Sequence, residues 1–282
     1  MNYHQRLEKV IDYIGQHLDE EISLDSLSDI VCISKFHFHR LFTAFTGLSL
    51  HQYIRWLRLK RAARQLIFDK DQSIINIAMN AGFESHEAFS RAFKKACGIS
   101  PSDYRNGLEC VYWDALPYSL PTSGEIEMKV DIRKMNKTRL AIVEHRGDPK
   151  LIPESVNKLL SWAKAQTISL KPKAGESFGI AYDDPGKTPA SEFRLDLGIK
   201  VPENIKIEGE IVEKYLPAGR YAIAIHKGSR NKIGETVYAL YRNWVPNSGE
   251  ELGDLPCVFC YYNFEHEVAE TELVTECWLL LK

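Results

Sequence analysis

Two arginines, Arg40 and Arg91, stand 51 residues apart in runs that repeat one another. A planar guanidinium can meet guanine O6 and N7 together, which is worth about 1–3 kcal/mol against a wrong base. Other side chains suited to nucleic acid surround them. Lys35, Phe36 and His39 accompany the first arginine; His86, Glu87, Lys94 and Lys95 accompany the second. The lysines suit phosphate anchoring better than base reading. Phe36 either packs on thymine methyls or joins a core. Glu87 must accept from cytosine N4 or adenine N6, or else it repels phosphate.

A second constellation lies in the second half of the chain. Asp196 in the run DLGIKV and Glu276 in ECWLLL are 80 residues apart, each a lone acid among apolar residues. Burying an unpaired carboxylate is costly. Each acid is therefore outward-facing and solvated, or it waits for a cation. Aromatic residues that could wall a cation site by their π-faces are Tyr182, Tyr221, Trp244, Tyr261 and Trp278. His145 and His226 also match in the repeat, but near strand ends, where a surface role is expected. No nucleophile–His–acid set or metal cluster stands out, so no catalytic residue, metal or cofactor is assigned.

The elements that carry these residues follow from spacing. In Ser85 to Arg105, Ser85 is an N-cap and Phe89, Ala92, Phe93 and Ala96 form one apolar helical face. Gly98 ends the helix, and Ser100, Pro101 and Asp103 start another. Ser34 to Arg55 repeats the pattern: Phe38 matches Phe89, Phe42 matches Phe93, Gly47 matches Gly98 and Tyr53 matches Tyr104. A duplicated unit implies two copies of one element doing one job. The spacing predicts a first helix through Leu7, Val10, Ile11, Ile14 and Leu18, then Leu24 to Val31 before the first copy. Ile74 to Ala81 precedes the second copy. Between the copies a capping box at Ser49 and Gln52 opens a helix to about Ile67; its eighteen residues span roughly 27 Å. Successive half-sites on DNA lie about 34 Å apart. The turns fall at Cys32-Ile33 and Gly82-Phe83, and we expect the Cys32 turn not to need a positive φ.

The 282 residues suggest two domains, and the net charge of −2 says nothing about partners. Its distribution does. From Ile30 to Phe68 there is no Asp or Glu, while Lys35, Arg40, Arg55, Arg58, Lys60, Arg61 and Arg64 lie there. Such a band is an electrostatic footprint for phosphates. Some of these cations are expected to pair with acids of their own domain. No apolar run approaches the roughly 20 residues of a membrane span, and MNYHQRLEKV has no signal-peptide core. The six cysteines make no disulfide framework; Cys257 and Cys260 should point to opposite faces of a strand, and reduced thiols in a cytoplasmic protein are expected.

Residues 109–127, rich in Pro, Ser and Thr, separate residues 1–108 from 128–282 and are expected to form a linker. Beyond it, Arg139 to Gly147 aligns with Arg220 to Gly228, 81 residues on. Each run has a strand before it, a helix after it (Ile152 to Ala165, Ile233 to Val245) and two more strands. The expected fold is therefore multidomain. An all-α domain with two helix-turn-helix motifs precedes an α+β domain of two β-β-α-β-β repeats, related by a pseudo-twofold axis with helices on one face.

Gly82 to Arg105, GFESHEAFSRAFKKACGISPSDYR, resembles the signature of the AraC/XylS family of transcription regulators, over roughly residues 5 to 108. That resemblance implies base reading by Phe36, His39, Arg40, His86, Glu87 and Arg91, with double-stranded DNA and RNA polymerase as partners. Residues 128 to 282 resemble the GyrI-like effector-binding domain through YDDPGKTPASEFRLDLGIKVP, Tyr182 to Pro202, and LPAGRYAIAIHKG, Leu216 to Gly228. This resemblance implies a pocket between the repeats for a small hydrophobic or cationic effector. Three functions stand open: a ligand-responsive activator, a hydrolase using Glu276 as base, and a gyrase-type protein-binding module.

Overall fold

The computed structural model describes residues 3–107, 128–168 and 175–282, and the chain divides into two compact units, Met1–Gly124 and Glu125–Lys282. The expected linker, residues 109–127, lies outside the described residues.

The first unit is helical. Helix α1, Tyr3–Gln16, buries Tyr3 with Leu7, Val10 and Ile14 of the expected stripe; Ile11 is half-buried, and Leu18, also buried, lies past the helix end. Helices α2 (Leu24–Val31) and α3 (Lys35–Thr46) form the first helix-turn-helix motif. Helix α4, Leu50–Phe68, leads to α5 (Ile74–Asn80) and α6 (His86–Cys97), the second motif, and α7 (Pro101–Arg105) follows. Serine hydroxyls set most of the starts. Ser23, Ser49, Ser73, Ser85 and Ser100 each accept a backbone N–H of the helix they open, and Ser49 with Gln52 completes a capping box. One such cap contributes about 1 kcal/mol. Phe89 and Phe93 of α6 pack between Phe83 and Tyr104 and onto Leu59, Ala62 and Leu66 of α4.

The Cys32 turn corrects one expectation. Cys32 is left-handed, with φ 52° and ψ 44°. The N–H of Ile33 donates to Ser28 O at 3.1 Å, as Phe83 N–H does to Ala78 O at 3.1 Å beside left-handed Gly82. Both helices thus end in the same hydrogen-bonded reversal. A cysteine accepts the Cβ crowding there, at about 1–2 kcal/mol. The second motif has one more residue, Glu84, before its cap. A second correction concerns the thiols: Cys97 is disulfide-bonded.

The second unit repeats β-β-α-β-β. Its strands are β1 Val130–Met135, β2 Thr138–Arg146, β3 Ser177–Ala181 and β4 Arg194–Lys200, then β5 Val212–Leu216, β6 Gly219–Lys227, β7 Cys257–Tyr261 and β8 Val274–Leu281. Helix α8, Ile152–Ala165, follows β2. Helix α9, Ile233–Ala239, follows β6 and continues through a π-helical turn, Leu240–Trp244. The strands form one antiparallel sheet in the order β1-β6-β8-β7-β3-β4-β2-β5. Exchanging the repeats reverses that order onto itself, so a pseudo-twofold passes between β3 and β7, where Gly179 faces Phe259. The first strand of each repeat is exchanged: β1 pairs with β6 and β5 with β2.

Strand alternation divides the sheet into two faces. On one, Leu159 and Ala163 of α8 pack on Ala141, Val143, Leu195 and Leu197. The other carries Leu140, Ile142, Phe178, Ile180, Tyr221, Ile223, Val258, Cys260 and Trp278. Cys257 and Cys260 do point to opposite faces, since Cys260 shares this second face with Val258 while Phe259 packs on the first. Burial pushes the Cys260 thiol up to about 12. His145 and His226 are not at the surface. They are 3% and 7% exposed, with ring nitrogens 2.9 Å from Ser155 Oγ and 2.8 Å from Thr236 Oγ1. Each thereby ties a strand end to the helix that follows it.

Candidate DNA-reading face and ligand cavity

On α6 the apolar stripe leaves Glu87, Arg91, Lys94 and Lys95 exposed and His86 half-buried. Glu87 sits in the first turn. Its own backbone N–H and the Ser85 side chain donate to its carboxylate and hold its pKa below the usual carboxylate range. The acid thus lies at the positive end of the helix. On α3, Lys35 is exposed and ion-paired with Asp25, while Phe36 and His39 are half-buried. Arg40 is 5% exposed. The two arginines thus share a helix position but not an environment: Arg91 is presented to solvent and Arg40 is not.

The cations of α4 sort into two kinds. Arg58 donates from Nε to Leu18 O at 2.9 Å and from Nη2 to Glu20 O at 3.3 Å. Arg61 makes a two-pronged pair with Asp19 at 2.8 and 2.6 Å. These two hold the α1–α2 segment onto α4. Lys60 lies over the Trp56 ring, and Arg55 and Arg64 are exposed.

The acids of the second unit are neither solvated nor waiting. Asp196 is 0% exposed and accepts from Arg146 Nη1 at 2.9 Å, Lys214 Nζ at 2.7 Å and Tyr182 OH at 2.9 Å. Glu276 is 4% exposed and accepts from Arg133 Nη2 at 2.5 Å and Trp278 Nε1 at 2.8 Å. The tyrosine hydroxyl of Tyr262 hydrogen-bonds into the Arg133–Glu276 pair. The two groups are repeat mates: Lys214 follows Arg133 by 81 residues, Tyr262 follows Tyr182 by 80 and Glu276 follows Asp196 by 80. In each, a cation from the exchanged strand neutralises an acid of the other repeat. Glu276 is therefore not the unpaired acid its sequence context suggested, since each of its oxygens already accepts a hydrogen bond. Tyr182 and Tyr221 are held likewise. Burial, then the charge of Asp196, raises the pKa of Tyr182; burial raises that of Tyr221 to about 12, and its OH donates to Pro217 O.

The cavity lies on the opposite, helix-bearing face. It has a volume of about 380 Å³ between α8, the strands β3, β4 and β7, and residues 264–267. Leu159 and Ala163 form one wall, Leu197 and Ile199 the floor, and Tyr261 and Phe264 the far side. Gly179 makes room for Tyr261, whose hydroxyl lies 2.6 Å from where a Cβ would stand. Of the aromatic wall expected from sequence, Tyr261 lines this cavity. Tyr182, Tyr221 and Trp278 belong to the other face, and Trp244 ends the π-helical turn, half-buried. The rim acids are engaged: Glu265 pairs with Arg230 at 2.6 Å, and Glu267 accepts from Phe264 N–H at 2.9 Å. Sequence reasoning missed Arg133 and Lys214, although their 81-residue spacing in the repeat was visible. It also missed the α8 wall, which reads as an ordinary amphipathic helix.

The description "GyrI-like small molecule binding domain" matches residues 128–282, and "Helix-turn-helix domain" matches residues 27–107. The "Probable transcriptional regulator YgiV" of Escherichia coli (strain K12) is 34% identical over 157 residues, covering 55% of this chain and 98% of that protein. The "Regulatory protein SoxS" of Salmonella typhimurium is 34% identical over 108 residues, 38% of this chain and all (100%) of that protein. YbfP of Bacillus subtilis (strain 168), an HTH-type transcriptional regulator by name, is 44% identical over 105 residues, 37% of this chain and 35% of that protein. Among the described residues no helix is long and apolar enough to cross a membrane.

Proposed function

The chain belongs to the GyrI-like small-molecule-binding family, with an AraC-type helix-turn-helix domain in front, and from that premise we propose that an apolar effector in the helix-face cavity controls promoter activation by the helical unit. The observation that carries the ligand half is the cavity itself. Its volume falls in the range of about 300–1,000 Å³ that holds a drug-sized molecule. Its walls are apolar, Glu265 is paired with Arg230 and Glu267 is exposed to solvent on the rim, so a cation is expected to gain little there over a neutral molecule of the same shape. Calorimetry on the full chain with 9-hydroxymethylanthracene and N-methylacridinium tests this. Affinities within about threefold of each other are expected. Leu160→Trp, which fills the cavity from an exposed position on α8, should weaken both by about tenfold. Unchanged binding in that variant, or a cation preferred more than tenfold, refutes the cavity reading.

The DNA half rests on the exposed α6 face. In this reading Arg91 reads a base and Lys94 and Lys95 anchor phosphates. Arg91→Ala should cost about 1–3 kcal/mol and relax preference at one base pair, as read by binding to a panel of single-substituted duplexes. Uniform weakening across the panel would make Arg91 a phosphate contact instead. RNA polymerase is the protein partner of an activator. Ile75 and Met79, one helical turn apart on α5 and 58% and 55% exposed, are apolar surface available to it.

A further inference from the structure

Arg55 and Arg58 lie one helical turn apart on α4, and both guanidinium groups border one cleft. The cleft, of about 410 Å³, runs between α4 and the turn of the second helix-turn-helix motif, with His51, Gly82, Glu84 and Ala88 on its sides. We propose that it seats a backbone phosphate of DNA beside the segment that α6 reads, held by Arg55 and Arg58; this rests on the DNA-reading assignment above.

Three observations carry it. Arg58 is clamped from behind, because Nε and Nη2 donate to Leu18 O and Glu20 O. Its Nη1 turns toward Gly82, where a Cβ would stand 2.8 Å away. Glycine at 82 thus satisfies a left-handed turn, φ 76°, and also leaves room for the guanidinium. Arg55 is exposed, with its guanidinium held over the Phe83 ring at 5.0 Å. Arg55 can offer a phosphate a two-pronged edge and Arg58 its Nη1, and both guanidinium groups are pre-oriented, so little freedom is lost on binding. Ala88 places the cleft at the start of α6, next to Glu87 and Arg91 in the helix. Glu84 is the opposing charge, exposed on the rim.

The test uses the full chain and two 40-bp duplexes, one selected from a random pool by the wild-type chain and one unrelated. Binding is followed by fluorescence anisotropy against KCl concentration. Arg55→Gln should weaken both duplexes by the same factor, about 3- to 10-fold, and flatten the slope of log K against log[salt] by about 0.9. Arg55→Lys should keep most of the slope, which separates lost charge from lost packing on Phe83. Glu84→Gln should tighten both duplexes. Ethylation interference on the selected duplex should lose one phosphate in Arg55→Gln and keep the others. An unchanged slope and an unchanged interference pattern in Arg55→Gln overturn the phosphate seat. Arg91→Ala, run alongside, changes the ratio between the two duplexes if α6 reads bases. A normal Arg91→Ala result with an inert Arg55→Gln therefore sinks the seat alone. The converse sinks the α6 reading and leaves the seat standing.

Discussion

Arg133→Leu is expected to destabilise the sheet unit by about 3 kcal/mol, the low end of what removing one partner of a buried ion pair costs. The low end applies because the Arg133 side chain is 39% exposed, so water reaches one side of the pair. Glu276 is 5% exposed in its side chain and would be left with Trp278 and Tyr262 as donors for a full negative charge. Adding Glu276→Gln removes that charge while its amide oxygen still accepts from Trp278 Nε1. The double variant should therefore recover most of the loss. Lys214→Leu, at the mate position, should cost about 1 kcal/mol, because Asp196 keeps Arg146 and Tyr182. Calorimetric melting of the full chain, with the sheet transition assigned by near-ultraviolet dichroism of Trp278, measures all three. Equal losses for Arg133→Leu and Lys214→Leu, or no recovery in the double variant, would show that the pair does not hold β1 in place.

That pair also marks where the sequence stopped being legible. Helix α8 matches its expected bounds, Ile152 to Ala165, because its apolar spacing and the turn before it are local signals. The repeated runs Arg139 to Gly147 and Arg220 to Gly228 likewise fall on β2 and β6 to within one residue at each end. Exchange of β1 and β5 between repeats is not local. Nothing in VDIRKM tells which of two similar edges it will join, and with the edge unknown the partner of Glu276 is unknown too. A lone acid in a strand then looks unpaired when its cation lies 143 residues away. The left-handed Cys32 was hidden by side-chain type, since the turn's hydrogen bonds and not its residue fix the conformation. The duplicated Arg40 and Arg91 were legible as equivalent positions. Their different exposures were not, because exposure is set by what packs around a helix and not by its own pattern.

Phe93→Ala is expected to cost about 3–5 kcal/mol, the usual loss for a fully buried Phe, and to unfold the second motif selectively. Phe93 is 0% exposed, with ring centroids 5.5 Å from both Phe89 and Tyr104. It joins α6 to α7 and to Leu59, Ala62 and Leu66 on the C-terminal half of α4. In the first motif Phe42 is the counterpart, 1% exposed, with Phe38 at 5.7 Å and Tyr53 at 5.3 Å. Its contacts are thus with α3 and the N-terminal half of α4, so Phe42→Ala should loosen the other motif by a similar amount. Phe93→Leu keeps most of the apolar volume and should cost about 1 kcal/mol. The functional consequence is directional. If the two motifs read separate segments of one site, hydroxyl-radical footprints of the two alanine variants should shrink from opposite ends. The bases near α3 stay protected in Phe93→Ala, and those near α6 stay protected in Phe42→Ala. Urea melts followed by helical dichroism should show a partial early transition in each. Loss of the whole footprint in both variants, with a single cooperative melt, would mean that α4 couples the motifs into one folding unit and that neither can read DNA alone.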